Sequence, residues 1–163
     1  MIDTKKTAKS LVELKDYLTM VTAVRSRMPK PDNFTFSGTE DFVLTNGRPW
    51  TTQRRPTSVR QMTMNHCFDN AYRLAASSRG RLRYVEGFAT SVIPMHHGWC
   101  VDREDKVVDP TWAYDKSASY FGVVFPLASV KSARTGGNAS VLDDFRNDFP
   151  ALRGLVDFEK SLV

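Results

Sequence analysis

The cysteines and histidines of this chain are few and lie close together in the sequence. Two cysteines and three histidines occur among 163 residues, and all five fall between positions 66 and 100: His66, Cys67, His96, His97 and Cys100. An aspartate followed by proline, Asp109, comes soon after them. Thiols and imidazoles bind zinc and also carry out nucleophilic catalysis, so these residues are consistent with either kind of site.

The spacing of these residues does not favour zinc. Structural zinc sites present ligand pairs two to four residues apart, as in CxxC, whereas His66 and Cys67 are adjacent and no CxxC occurs. If residues 97–100 form a strand, His97 and Cys100 also lie on opposite faces, because side chains alternate along a strand. We therefore expect neither a metal site nor a cofactor.

Cys67 stands where a helical pattern begins. The stretch "CFDNAYRLAASSRG" places four side chains on one helical face and ends at a natural stop, Gly80. Those four are Phe68, Ala71, Tyr72 and Ala75. The N–H groups and the dipole at a helix N-terminus favour the thiolate form of a cysteine placed there. A thiolate nucleophile then needs a neighbouring base and a third group that orients the base.

His97 and Asp109 can take those two roles if "HGWCVD" and "KVVDPTW" pair as a hairpin through the charged turn "REDK". With the turn centred near Glu104 and Asp105, His97 falls opposite a residue near position 112. Asp109 then lies diagonally from His97 on the adjacent strand. His96 stays open as an alternative base, because the two histidines are adjacent.

Several neighbouring residues are expected to have structural roles. Cys100 is interpreted as a small buried core residue, and Asp69 and Asn70 as residues that cap the helix or favour its dipole. Glu86 is interpreted as a surface charge on a strand. Gly87 is expected to relieve crowding beside the helix that carries the cysteine.

The order of these residues resembles the transglutaminase-like branch of the papain-like cysteine superfamily. Cys67 begins a helix, His97 has Trp99 two residues after it, and Asp109 lies within "VVDPTW". The resemblance covers about residues 61–125 and implies an α+β fold, with the helix carrying the cysteine packed on an antiparallel sheet. The chain departs from the wider superfamily, because it lacks the C-G-S-C-W surroundings of papain-type proteases and is shorter than tissue-type transglutaminases with their extra β domains.

The resemblance also implies a role for individual residues. These are the nucleophile Cys67, the base His97, the orienting carboxylate Asp109 and an oxyanion-hole candidate, Gln61, six residues before the cysteine. The backbone N–H of Cys67 is a second oxyanion donor, because a helix N-terminus presents such groups. Trp99 and Trp112 are expected in the core, with a wall of the substrate site as their alternative role.

The elements around these residues predict one α+β domain spanning residues 1–163, with an antiparallel sheet. An N-terminal helix is expected within 1–28, because leucines at 11, 14 and 18 follow helical spacing and prolines come after it. Residues 29–60 are expected to be irregular, with a short strand at "DFVL" and a role as wall or lid. The catalytic core would span 61–127. A C-terminal segment, 128–163, would hold one or two helices interrupted at Pro150.

Composition narrows the class of protein. With 41% hydrophobic and 25% charged residues, the chain has an ordinary globular composition. Its apolar runs are all shorter than the ~20 residues of a membrane span, and the N-terminus lacks the apolar core of a secretory signal. We therefore expect a cytoplasmic protein with reduced thiols and without a membrane partner.

The formal net charge of +5 is spread over short clusters such as "RSRMPK", "QRR" and "RGRLR". Dispersed charge of this kind is more typical of a solvated surface than of a nucleic-acid interface. The charge itself fits either nucleic acid or an acidic substrate. The expected partner is a protein, a peptide or a small amide substrate.

These patterns predict a cysteine-dependent acyl-transfer enzyme that acts on an amide or peptide carbonyl through a thioester intermediate. Hydrolysis is favoured slightly over transamidation, because water is always present. The alternative is a catalytically inert fold of the same kind, used as a protein- or nucleic-acid-binding module.

Overall fold

The computed structural model describes residues 4–160 and has an α+β architecture. The helices are α1 (Thr4–Arg25), α2 (Thr39–Asn46), α3 (Cys67–Ser77) and α4 (Leu127–Thr135), followed by a short 3-10 helix (Phe145–Asn147). The strands are β1 (Arg48–Trp50), β2 (Arg83–Thr90), β3 (Pro94–Val101), β4 (Val107–Val108) and β5 (Ser119–Phe125). The predicted α+β class with an antiparallel sheet is confirmed.

The sheet has the strand order β1-β5-β2-β3-β4, and every pair of neighbouring strands is antiparallel. It curls until its two outer strands approach each other. Thr51, directly after β1, forms an isolated parallel bridge with Lys106, and the Val107 N–H donates to the Thr51 carbonyl at 2.8 Å. The inner face of the sheet is therefore enclosed.

The two faces of the sheet have separate cores. The inner face buries a small cluster that includes Trp50, Trp99 and Tyr120. The outer face packs against the helices and buries a larger cluster, to which α1 contributes Leu14 and Leu18, each with no exposed surface. These leucines belong to the stripe that predicted the N-terminal helix. Because alternate residues of one strand enter different cores, adjacent residues such as His96 and His97 face opposite sides.

The segment 29–60 is more regular than expected. "DFVL" lies within α2 and not in a strand. Acidic residues in the first turn, Glu40 and Asp41, favour a helix there, and Asp41 Oδ2 accepts a hydrogen bond from the Ser37 N–H at 2.8 Å. Phe42 and Val43 are buried by this helix. β1 then follows within the same segment.

The C-terminal segment was also predicted incorrectly in part. α4 occupies its beginning, but after it the described residues contain turns and the 3-10 helix, where one or two α-helices were expected. Asp148 and Phe149 have positive φ angles of 58° and 49°, which an α-helix does not contain. Asn147 Nδ2 donates to Asp144 Oδ2 at 2.8 Å. Short polar side chains therefore stabilise turns here, where a helix was expected.

No helix among the described residues has the length and apolar character needed to cross a membrane.

Candidate active site

The candidate nucleophile lies at the start of α3, as predicted. The helix begins at Cys67, whose side chain is half-buried. The chain enters the helix through Asn65, which has a φ of 64°, a left-handed conformation that asparagine adopts more readily than most residues. The first-turn N–H groups of a helix have no partners within the helix, so the Cys67 backbone is suited to stabilise a negative charge.

A glycine on β3 allows the start of α3 to approach the sheet. A Cβ atom at Gly98 would lie 2.9 Å from Phe68 Cδ1 and 3.2 Å from Phe68 Cα. Contacts this short would push the helix away, so a residue with a side chain does not fit there. The prediction that Gly87 has this role is wrong. A Cβ atom at Gly87 would lie 2.4 Å from the Phe121 carbonyl oxygen, so this glycine relieves crowding against β5.

His97 lies between Asp109 and Cys67. Its Nε2 donates to Asp109 Oδ2 at 2.8 Å, and the Cys67 side chain lies close enough to the ring to help raise its pKa. Only 1% of His97 is exposed. Burial by itself lowers its pKa, but the hydrogen bonds and charges of Asp109 and Cys67 outweigh burial and raise the pKa of His97 to about 9. The imidazole is therefore held as a cation near neutral pH.

Asp109 is arranged as an ionised acceptor. Its Oδ1 accepts the N–H groups of Thr111 at 2.7 Å and Trp112 at 3.0 Å, and its Oδ2 also accepts the Tyr120 hydroxyl at 2.9 Å. Burial alone would raise the pKa of Asp109, but the bonds from His97 and from these backbone N–H groups lower it overall. The pKa of Tyr120 is raised well above its usual value by burial and by the Asp109 charge, so Tyr120 remains a donor.

The predicted hairpin between β3 and β4 is present and explains this geometry. Cys100 pairs with Val108 and Val101 with Val107, a register that brings His97 opposite position 111, one residue from the expected one. β4 ends at Val108, so its pairing with β3 stops before the level of His97.

Gln61 lies beside the Asp109 turn. Its Nε2 donates to the Thr111 carbonyl at 3.2 Å and its Oε1 accepts from Arg55 Nη2 at 3.3 Å. The amide has two N–H donors; one is used by the Thr111 carbonyl, and Nε2 also lies 4.0 Å from Met64 Sδ. Arg55 also donates to the Trp112 carbonyl at 3.2 Å, so the end of the 29–60 segment supports this turn.

The two tryptophans differ in exposure. Trp99 has no exposed surface and belongs to the inner core, so in this state it offers no surface to a substrate. Trp112 is half-buried, and its ring stacks on that of His97 with centroids 4.1 Å apart and planes 22° apart. Trp112 is thus the tryptophan with surface available next to the imidazole.

His96 forms a second histidine–carboxylate pair on the outer face. Its Nε2 donates to Glu86 Oε1 at 2.9 Å, and Glu86 has no exposed surface. The expectation that Glu86 is a surface charge is therefore wrong. Burial alone would raise its pKa, but hydrogen bonds, first from His96, lower it overall. Further donors to Glu86 come from Tyr84, Ser140 and the backbone of residues 141 and 142.

The remaining candidates near Cys67 have structural contacts. Cys100 is fully buried, and burial raises the pKa of its thiol, in keeping with a core residue. Asp69 pairs with Arg134 of α4. Asn70 was expected to be a cap, but the helix starts after His66, and the Asn70 amide bonds Thr63 and Thr111 instead. Within residues 4–160, no group of three or more His, Cys, Asp and Glu side chains is placed to hold a metal ion.

The sequence patterns did not predict three contributors to the site: Tyr120, Gly98 and the contact of Asn70 with Thr111. Tyr120 lies in the buried strand "SYFGVVF", and a tyrosine hydroxyl in a buried strand is a signal that it needs a buried partner. Gly98 stands between His97 and Trp99, where a residue without a side chain indicates close approach of another backbone. The contact of Asn70 with Thr111 spans 41 residues and has no local signal.

Comparison of the chain with protein-family models, with curated proteins and with solved structures gave no match.

Proposed function

We propose that this protein is a cysteine-dependent acyl-transfer enzyme that acts on an amide or peptide carbonyl. Its core, α3 with the β2–β5 sheet, would correspond to the transglutaminase-like branch of the papain-like fold. The observation that carries the proposal is the position of His97, whose Nε2 bonds Asp109 at 2.8 Å and whose pKa is raised by Asp109 and by the nearby Cys67 side chain. A nucleophile, a base and an orienting carboxylate brought together in this order support covalent catalysis.

The first half of the proposed reaction forms a thioester. The Cys67 thiolate attacks the carbonyl carbon and gives a tetrahedral oxyanion, which the Cys67 backbone N–H would stabilise. The raised pKa of His97, about 9, supports a protonated imidazole at this stage. When the C–N bond breaks, His97 gives its proton to the leaving amine, and the acyl group remains on sulfur.

The second half releases the acyl group. Neutral His97 takes a proton from water, and the resulting hydroxide attacks the thioester carbonyl. The C–S bond then breaks, which restores the thiolate and the imidazolium and releases a carboxylic acid. An amine in place of water would give transamidation. Hydrolysis is the form we propose first, because it needs no second binding site.

Acylation with p-nitrophenyl acetate tests this function. We expect a burst of p-nitrophenol and an acetyl group on the Cys67 peptide, found by mass spectrometry. Cys67→Ser should abolish both, whereas the matched variant Cys100→Ser, at a fully buried thiol, should retain the burst in its folded fraction. Iodoacetamide should alkylate Cys67 rapidly well below pH 8.

Slow alkylation of Cys67, with the ordinary pH profile of a free thiol and without acetylation, would contradict the proposal. That outcome would favour the inert binding module. In that case, a salt-dependent mobility shift on random DNA or RNA would point to nucleic acid as the partner.

A further inference from the structure

The amide of Asn70 joins three segments around the candidate active site. Asn70 lies on α3 three residues after Cys67 and is 5% exposed. Its Nδ2 donates to the Thr63 carbonyl at 2.7 Å and to Thr111 Oγ1 at 3.0 Å. A primary amide has two N–H donors, and both are used here. One acceptor lies in the loop that leads to Cys67, and the other lies in the turn that follows Asp109.

Thr111 continues this connection to the triad. Its own N–H donates to Asp109 Oδ1 at 2.7 Å, and its side chain is almost fully buried, at 1% exposed. Asp109 Oδ2 in turn holds His97, and the nearby Cys67 side chain helps to raise the pKa of that histidine. The hydrogen bonds therefore form a network that runs from helix α3 through Asn70, Thr111 and Asp109 to His97, and Cys67 lies on the same helix as Asn70.

We propose that Asn70 and Thr111 are positioning residues that fix the distance and orientation of Cys67 relative to His97. This inference rests on the proposed function, since it gives the pair a role in the reactivity of that thiol. Asn70 acts through the helix, and Thr111 acts through the Asp109 turn. Few other side chains can replace Asn70, because its place in the network needs two N–H donors on a short side chain.

The chemistry of the pair defines isosteric tests. Asn70→Asp keeps the shape of the side chain but replaces two donors by a carboxylate that faces two acceptors. Thr111→Val keeps the volume but removes the acceptor for Asn70, and Thr111→Ser restores that acceptor. Asn46→Asp is the matched control, because the Asn46 amide also donates to a backbone carbonyl, Phe42 O at 2.9 Å, within α2 and away from the site.

The measurement is the rate constant for alkylation of Cys67 by iodoacetamide from pH 5 to 10, with the labelled peptide identified by mass spectrometry. Misplacement of a reacting group by ~1 Å can reduce a rate by about 100-fold, and we expect a loss of about tenfold near pH 7 for Asn70→Asp and Thr111→Val. Thr111→Ser should react within about twofold of the unmodified protein, since it keeps the hydroxyl that the argument needs. Thermal unfolding of each variant is followed in parallel.

A purely structural role would lower the melting temperature of Asn70→Asp and Asn46→Asp alike and leave the Cys67 rate in the folded fraction unchanged. That result would overturn the inference and leave the proposed function intact. A slow rate in the unmodified protein, equal to that of a free thiol, would instead contradict the proposed function. If Asn70→Asp does not fold, the comparison of Thr111→Val with Thr111→Ser decides the inference, and equal rates for those two would reject it.

Discussion

Two adjacent histidines of β3 form two different histidine–carboxylate pairs. His97 pairs with Asp109 on the inner face of the sheet, and His96 pairs with Glu86 on the outer face. The ring–carboxylate distances are almost the same, at 2.8 and 2.9 Å. The pairs differ in what else lies near the ring: Cys67 is close enough to His97 to help raise its pKa, whereas His96 packs against the rings of Phe68 and Phe88.

The carboxylates also differ in their other partners. Asp109 accepts bonds from Tyr120 and from the turn that follows it, so it orients its histidine from a local scaffold. Glu86 accepts bonds from the backbone N–H groups of Val141 and Leu142 and so connects β2 to a distant part of the chain. A histidine–carboxylate pair alone is therefore a poor sign of catalysis, and the group beyond the imidazole decides its role.

The largest expected difference between the two pairs is in the alkylation rate of Cys67 when each histidine is replaced by asparagine. Iodoacetamide reacts with the thiolate and needs no proton transfer, and a free thiol with a pKa of about 8.5 is about 3% ionised at pH 7. We therefore expect His97→Asn to reduce alkylation of Cys67 at pH 7 by about 30-fold. His96→Asn should stay within about threefold in its folded fraction, because its ring contacts Glu86 and not the thiol. The measurement is the iodoacetamide rate with peptide identification. A larger loss for His96→Asn would make His96 the base.

A second difference should appear in stability. Hydrogen bonds to a charged group contribute about 1.5–3 kcal/mol each, and Glu86 is fully buried with several donors. We therefore expect Glu86→Gln to lower the free energy of unfolding by about 3 kcal/mol in urea titrations. The alkylation rate of Cys67 in the folded fraction should remain unchanged. The control is Glu159→Gln, whose carboxylate is 46% exposed and pairs with Arg83; exposed pairs contribute only ~0–1 kcal/mol. Equal losses for the two variants would contradict the anchoring role of Glu86.

The smallest expected effect is the pH dependence of the free energy of unfolding. The pKa of His97 is raised in the folded protein to about 9 from 6.5, so its contribution to stability is fully present below pH 6.5 and is lost as the pH rises through about 9. We expect the unmodified protein to lose on the order of 2 kcal/mol across this window. Asp109→Asn should flatten the profile, because it removes a charge that raises the pKa of His97.

Urea titrations between pH 6 and 10 provide this measurement, with Asp16→Asn on the exposed side of α1 as the control. The control should retain the slope of the unmodified protein. An unchanged slope in Asp109→Asn would show that Asp109 does not hold the proton on His97.

The parts of the site that could be predicted from the sequence are those with local signals. The start of α3 at Cys67 followed from helical spacing, and the β3–β4 hairpin followed from two short apolar runs around a charged turn. The burial of Glu86 could not be predicted in this way. A glutamate in a strand is normally exposed, and its partners at positions 140–142 are more than 50 residues away.

The sequence predicted the wrong element where local hydrogen bonds of polar side chains outweigh the apolar pattern. "DFVL" has the composition of a strand, yet Phe42 and Val43 are buried by a helix whose first turn is stabilised by Asp41 and Ser37. The end of the chain showed the reverse case, because its apolar residues follow helical spacing but Asp144, Asn147 and their neighbours form turns. Short polar side chains that form local hydrogen bonds are the sequence signal for the observed structure in both segments.

Gly98 has a consequence for the register of β3 in the sheet. A shift of one residue along a strand moves every side chain to the opposite face, so a slipped β3 would put His96 on the inner face, where His97 now lies. Such a slip would also bring His97 or Trp99 beneath Phe68, where there is no room even for a Cβ atom. The missing side chain at Gly98 therefore fixes which of the two adjacent histidines faces the inner side of the sheet. We expect a single-residue insertion or deletion between Ser91 and Met95 to be destabilising because of the clash at Gly98 and not because of the histidines.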